Sequence, residues 1–184
     1  MIISRPKPQY LASMYYFLFF GAIGGLIPYL NLYYQELGME TWQIGVLAAL
    51  MTASTLFAGP MWSAIADIFH IHQRLLPLLM LLTLPLAFVM SGADGFYMFL
   101  LLILLFGSCM APVISLADNA VLAFLGDKQH EYGYLRIWGS VGWSISVWGT
   151  GWLIERTDIQ FMFLIYISLM VSFQKIGGGS YLLP

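Results

Sequence analysis

Charge is the scarcest property of this sequence. Only 9% of its 184 residues are Asp, Glu, Lys or Arg, where a soluble domain carries about 25%. Net charge is −2, so no basic field points to a nucleic-acid partner. Cysteine is nearly missing: Cys109 stands alone, which excludes a disulfide within the chain and a cysteine-only zinc site. Histidine occurs three times, as His70, His72 and His130, each outside the apolar runs. With Asp67 the nearest carboxylate to the first two, the pattern is loop polarity rather than a metal centre. No Gly-x-Ser-x-Gly stretch offers a nucleophile. No P-loop is present either, so an ATPase is excluded and any energy input must come from an ion gradient or a partner. The Asn-Pro-Ala pair of a water channel is also missing.

Apolar residues, by contrast, make up 60% of the chain and aromatics 16%. A soluble fold of this size leaves too much surface in water to hide so much apolar area. Six stretches contain no charge and no histidine: Pro8 to Gln35, Thr41 to Ala66, Leu75 to Ala93, Gly95 to Ala117, Ile137 to Ile154, and Ile159 to Gln174. At about 1.5 Å per residue, stretches near 20 residues cross a hydrocarbon core of about 30 Å as helices. The last, at 16 residues, borrows from its flanks. Strands of a membrane barrel would be about 10 residues long with alternating polarity, and the unbroken apolar run Met98 to Phe106 excludes them. The expectation is an all-α membrane protein with a bundle over residues 1–174. Its spans lie near 10–35, 42–66, 75–93, 96–125, 134–154 and 158–175, followed by a Gly-rich tail at 175–184.

Orientation follows from the basic residues. With six spans, Arg5, Lys7, Arg74, Lys128, Arg136 and Lys175 share one side, and Arg156 is alone on the other. The positive-inside rule then predicts both termini in the cytoplasm, with the chain in the cell (inner) membrane. The first run is too long for the apolar part of a cleaved signal peptide, about 7–15 residues, and is expected to be a retained helix. Trp42, Tyr97 and Trp152 fall near span ends, where interfacial aromatics belong, although ordinary packing accounts for any one of them equally well.

Asp118 is the polar group that demands an explanation. From Gly95 to Gly126 it is the single charged side chain. A charge at that depth costs several kcal/mol unless it is paired or wetted, which makes it a functional candidate. The fourth and fifth spans turn near Asp127, nine residues after Asp118 and nine before Arg136. Antiparallel helices then put both charges about 13 Å from the turn. If they face each other they form an ion pair, either for a ligand or simply to lock two helices. Trp143 is two turns beyond Arg136 on the same face, placed to lie against a bound ring or to pack against lipid. Gly139, Ser140, Gly142 and Ser146 suit close approach of a neighbouring helix. The first span holds Gly21, Gly24, Gly25 and then Pro28, and the fourth holds Gly107 and then Pro112. Interrupted helices at matching places in two triplets hint at a three-plus-three repeat.

The string Tyr132-Gly133-Tyr134-Leu135-Arg136-Ile137-Trp138-Gly139-Ser140-Val141-Gly142-Trp143, with an acidic residue 18 positions before the arginine, resembles the fourth and fifth helices of the major facilitator superfamily. It most resembles the branch of lactose permease, the phenylpropionate transporter and the nucleoside–proton symporters. Gly24-Gly25-Leu26-Ile27-Pro28-Tyr29 and Gly45 look similar to that branch as well. The segment at Asp67 is similar to the superfamily's loop between helices two and three, but Ser63 replaces glycine, Ile68 replaces a basic residue, and Arg74 comes late. The resemblance covers roughly residues 10–174. It implies that Asp118 and Arg136 bind solute hydroxyls and that Trp143 stacks on a ring. Asn119, Tyr29 and Asn31 are further candidates for the same cavity, and Asp67 with Arg74 would serve gating.

The resemblance also implies a fold of 12 helices, of which this chain holds the first six. The expected function is therefore that of the N-terminal half of a secondary transporter. It would move a small polar solute (a sugar, an aromatic acid or a nucleoside) by alternating access, with no cofactor and with a proton as the coupling ion. Expected partners are the solute, the lipid bilayer, and a C-terminal six-helix half that is missing or separate, or a second copy of this chain. The tail, Lys175 to Pro184, does not resemble the family's central loop and suggests a truncated product. The competing expectation is a six-helix scaffold or inactive fragment in which Asp118 and Arg136 are only a clamp. An enzyme is not expected.

Overall fold

In a computed structural model, residues 8–69 and 71–177 are described, and all of their regular structure is helical. The first rod is α1 (Pro8–Leu26), a 3-10 turn at Ile27–Tyr29, and α2 (Leu30–Glu36). The second and third are α3 (Thr41–Phe69) and α4 (His72–Ser91). The fourth consists of α5 (Phe96–Met110) and α6 (Val113–Leu125), broken at Ala111 and Pro112. A 3-10 stretch at Gly126–Glu131 leads to α7 (Tyr132–Ile154), and α8 (Phe161–Gly177) ends the bundle. The expected tail begins inside this helix, since Lys175 to Gly177 continue it, and residues 178–184 lie outside the described residues.

Proline lacks the N–H that a helix interior needs, and both interruptions fall where one stands. Pro28 sits within the 3-10 turn, and Pro112 caps α6. Pro60, Pro77 and Pro85 lie inside continuous helices, so proline alone does not break a rod here.

Three rods are long and apolar enough to cross a membrane: Tyr10–Glu36, Thr41–Phe69 and Phe96–Asn119. Leu75–Ser91 and Phe161–Lys175 are shorter apolar helices. Of the six expected spans, three are thus long and apolar enough to cross a membrane among the described residues, and the other three correspond to rods that are shorter or less apolar. The fifth, α7, has 23 residues but is diluted by Arg136 and by repeated glycine and serine.

Side by side the rods run α7, α1, α8, α4, α5, α3, so that α7 and α3 are the outermost. Rod one packs on rods five and six as rod four packs on rods two and three, which is the pairing of a three-plus-three arrangement. The core between them is aromatic and aliphatic, with Tyr16, Phe19, Tyr34, Phe99, Phe106, Phe163 and Tyr166 fully buried. Some of its polar groups are paired, whereas the hydroxyls of Tyr15, Tyr34, Ser146 and Thr150 and the Trp62 indole N–H are buried with no hydrogen-bond partner among the described residues. Tyr166 donates to the Thr83 hydroxyl at 2.7 Å, and Thr83 donates to the Met80 carbonyl at 2.8 Å. Gln174 ties α8 to α4 by donating to the Pro77 carbonyl at 3.0 Å.

The closest approach is between α1 and α7. A β-carbon on Gly142 would overlap the Phe17 carbonyl, and one on Gly24 would stand 2.9 Å from the Trp143 carbonyl oxygen. Of the small residues expected to allow close packing, Gly139, Gly142 and Ser146 lie against α1, whereas Ser140 is exposed. Gly126, at φ +50, closes α6 in a conformation that favours glycine and starts the return toward α7.

Candidate functional site

The turn between α6 and α7 brings together what the spacing predicted. Asp118 lies near the middle of α6 and Arg136 in the second turn of α7. Arg136 Nη2 is 3.7 Å from Asp118 Oδ2, which makes an ion pair. The arginine side chain is 47% exposed and the aspartate 21%. At that separation the pair is longer than a hydrogen bond, so the guanidinium keeps its N–H donors for another partner.

A third helix joins them. Tyr16 of α1 donates its hydroxyl to Asp118 Oδ1 at 2.8 Å. Tyr132 sets its ring edge-on to Tyr16, with centroids 6.4 Å apart and an interplanar angle of 80°. Tyr16 also stacks toward Phe20 at 6.3 Å. Neither Tyr16 nor Phe20 was singled out by the sequence reading. A usable signal existed: Tyr16, Phe20 and Gly24 are four apart and share the face of α1 that meets α7.

Beside the pair is an open cleft of about 770 Å³. Phe20, Tyr132, Arg136, Ser140, Trp143 and Ser144 line it. On α7 these residues recur at spacings of three and four, so one helix face supplies a cation, three hydroxyls and an indole. The indole is held in place because the Trp143 backbone and ring lie against Gly24, leaving no room for a side chain there. Such a wall can bind oxygen acceptors through charge-assisted bonds and offer a ring a flat apolar face.

The remaining candidates fall elsewhere. Tyr29 donates its hydroxyl to the Val147 carbonyl at 2.6 Å and rests on Gly151, so it fastens α1 to α7 and does not line this cleft. Asn31 is exposed on α2, and Asn119 is exposed on α6 next to Asp118; neither lines the cleft. Asp67 is exposed near the end of α3. Arg74 lies in the first turn of α4, and its side chain is outside what the structure describes. Among the described residues no cluster of three His, Cys, Asp or Glu is placed to hold a metal ion.

A second cleft of about 700 Å³ lies across the same helix pair, lined by Tyr10, Met14, Phe17, Glu131, Tyr134 and Trp138 among others.

Comparison with known proteins gives a consistent result. The model of the MFS_1 like family matches residues 10–176. Maltose permease of Geobacillus stearothermophilus is 29% identical over 154 residues, which is 83% of this chain and 39% of that protein. The uncharacterized transporter YwbF of Bacillus subtilis (strain 168) is 27% identical over 142 residues, 77% of this chain and 35% of that protein. The chain therefore spans less than two-fifths of the length of either relative. No solved structure matches it.

Proposed function

Because the chain belongs to the MFS_1 like family, we propose that it acts as the N-terminal half of a secondary transporter for a small polar organic solute of the sugar, aromatic-acid or nucleoside class. The observation that carries this reading is the Asp118–Arg136 pair beside a cleft walled by Trp143. A cation with unspent donors, next to an indole, is the chemistry that a polar solute with a ring requires. The relatives' names, a maltose permease and a transporter, support transport over catalysis.

In this reading all six rods span the cell membrane with both termini in the cytoplasm. The bundle rocks against a second six-helix half, and a proton gradient drives the cycle. The second half covers the face on which Arg136 is exposed. Asp67 and Arg74, at the α3–α4 turn, serve gating in the same reading.

Uptake of labelled solute by the complete transporter tests the assignment. Asp118→Ala and Arg136→Ala should each lower uptake by at least ten-fold at unchanged membrane abundance. Near-normal uptake in both variants would sink it. The clamp reading draws on one observation, that Tyr16, Asp118 and Arg136 tie three helices together. It predicts loss of folded protein in Arg136→Ala, with no solute raising the melting temperature of the wild type.

A further inference from the structure

The first helix of rod one ends against two hydroxyls of α7. Ser146 and Thr150 stand one turn apart on that helix, and both hydroxyl oxygens are buried with no hydrogen-bond partner among the described residues. Thr150 as a whole is 1% exposed. Elsewhere the chain treats such groups differently. Ser54, Thr55, Ser108, Thr157 and Ser172 each donate to the carbonyl four residues back in their own helix. Ser146 and Thr150 turn to α1 instead. Ser146 Oγ is 3.0 Å and Thr150 Oγ1 is 3.3 Å from the point that a β-carbon on Gly25 would occupy. Ile165 of α8 closes the third side, also at 3.0 Å. Because residue 25 is glycine, the place of a side chain is left to the two hydroxyls.

The backbone opposite them is short of donors. α1 stops at Leu26, and Pro28 follows with no N–H, so the Gly24 carbonyl loses the donor that a continuous helix would supply. The last carbonyls of a helix also carry the negative end of its dipole. In broken membrane helices, carbonyls freed in this way hold sodium.

We infer that Gly25, Ser146 and Thr150 frame a sodium site at the break of rod one, with Ser146 Oγ, Thr150 Oγ1 and the last carbonyls of α1 as ligands. These are hard, neutral oxygens, which suit a small monovalent ion, whereas calcium and magnesium are held by carboxylates. The bound ion ties the break of rod one to α7, one turn beyond Trp143. Neither Ser146 nor Thr150 lines the cleft, so the site is separate from the one beside Asp118 and Arg136. The inference goes beyond the transport reading and does not depend on it. The proton remains the coupling ion of that reading.

The experiment is thermal unfolding of the full chain in detergent, with sodium chloride set against choline chloride at one ionic strength. Sodium at ten times its dissociation constant should raise the wild-type melting temperature by about 3–6 °C, and the rise should saturate. Thr150→Val and Ser146→Ala should each abolish the rise. Thr157→Val removes a hydroxyl that is bonded within its own helix and should keep it. Equal melting temperatures in the two salts overturn the proposal, and so does a sodium rise that survives both Thr150→Val and Ser146→Ala. If the two hydroxyls are packing groups only, Thr150→Val melts higher in both salts alike, which also overturns it. Should one variant fail to fold, binding of radioactive sodium decides. The proposal stands if wild type binds it saturably, against unlabelled sodium but not against choline, and the other variant does not. It falls if wild type shows no saturable binding.

Discussion

The contact between α1 and α7 and the contact between α5 and α3 occupy corresponding places in the two triplets, yet they are built differently. In the first, backbone meets backbone: Gly142 lies on the Phe17 carbonyl and Gly24 on Trp143. In the second, Gly107 meets a side chain, with a β-carbon 2.9 Å from Ser54 Cβ. The Ser54 hydroxyl is satisfied within its own helix, donating to the Leu50 carbonyl at 2.7 Å. The outer rod α3 also differs from the two inner rods, the first and the fourth, in how much of it is covered. The most apolar window of α3 is only 17% buried, against 56% for the first rod and 44% for the fourth. The difference teaches where precision is needed. Rod five carries Arg136 and Trp143, and its position is fixed by glycines that tolerate nothing larger. Rod two carries no residue of the cleft, and most of its apolar window is exposed.

Four substitutions break or sharpen that comparison, in falling order of effect. Gly142→Ala should be the most damaging. Its methyl group meets backbone, which cannot rotate away, so α1 and α7 must separate at a cost of about 3 kcal/mol. Thermal unfolding in detergent should show a clear fall, and an unchanged melting temperature would mean that the close contact is not made. Gly107→Ala should cost less, about 1–2 kcal/mol, because its methyl would stand 2.9 Å from Ser54 Cβ rather than overlap a carbonyl oxygen, so α3 need shift less than α1. If it proved as severe as Gly142→Ala, the two contacts would be equally tight.

Tyr29→Phe removes the 2.6 Å bond to the Val147 carbonyl and should cost about 1 kcal/mol. Solute affinity should stay at the wild-type value, because the phenol lies outside the cleft. A selective loss of binding would return Tyr29 to the solute site. Gly45→Ala is the smallest and has the opposite sign. Nothing lies within 4 Å of a β-carbon on this α3 residue. The gain in helix propensity should stabilise the protein by up to about 1 kcal/mol. A loss of stability there would reveal a neighbour on the outer face of α3.

Much of the bundle was legible along the chain because its signals are local. Absence of charge marks each rod, Pro28 and Pro112 mark the two interruptions, and Gly126 marks the end of α6. The Asp118–Arg136 pair was legible for a less common reason. The two lie at equal distances from one turn, so helix rise alone brings them level. Tyr29 was a further candidate for the same cavity, but the 3-10 turn sends its hydroxyl to the Val147 carbonyl on α7, a direction no local signal in the sequence encodes.

Tyr16 lies 102 positions from Asp118, and no spacing rule reaches that far. Sequence alone determined the helical class, the apolar rods, their interruptions and the level at which two opposite charges meet. These follow from backbone hydrogen bonding and from the cost of charge in an apolar medium, which act residue by residue. Only the tertiary structure decided which face of α1 lies against α7, and with it that Tyr16 holds Asp118 while Tyr29 does not enter the cleft. Rotation of one packed helix about its axis is set by the sum of its contacts, and no single residue encodes that sum.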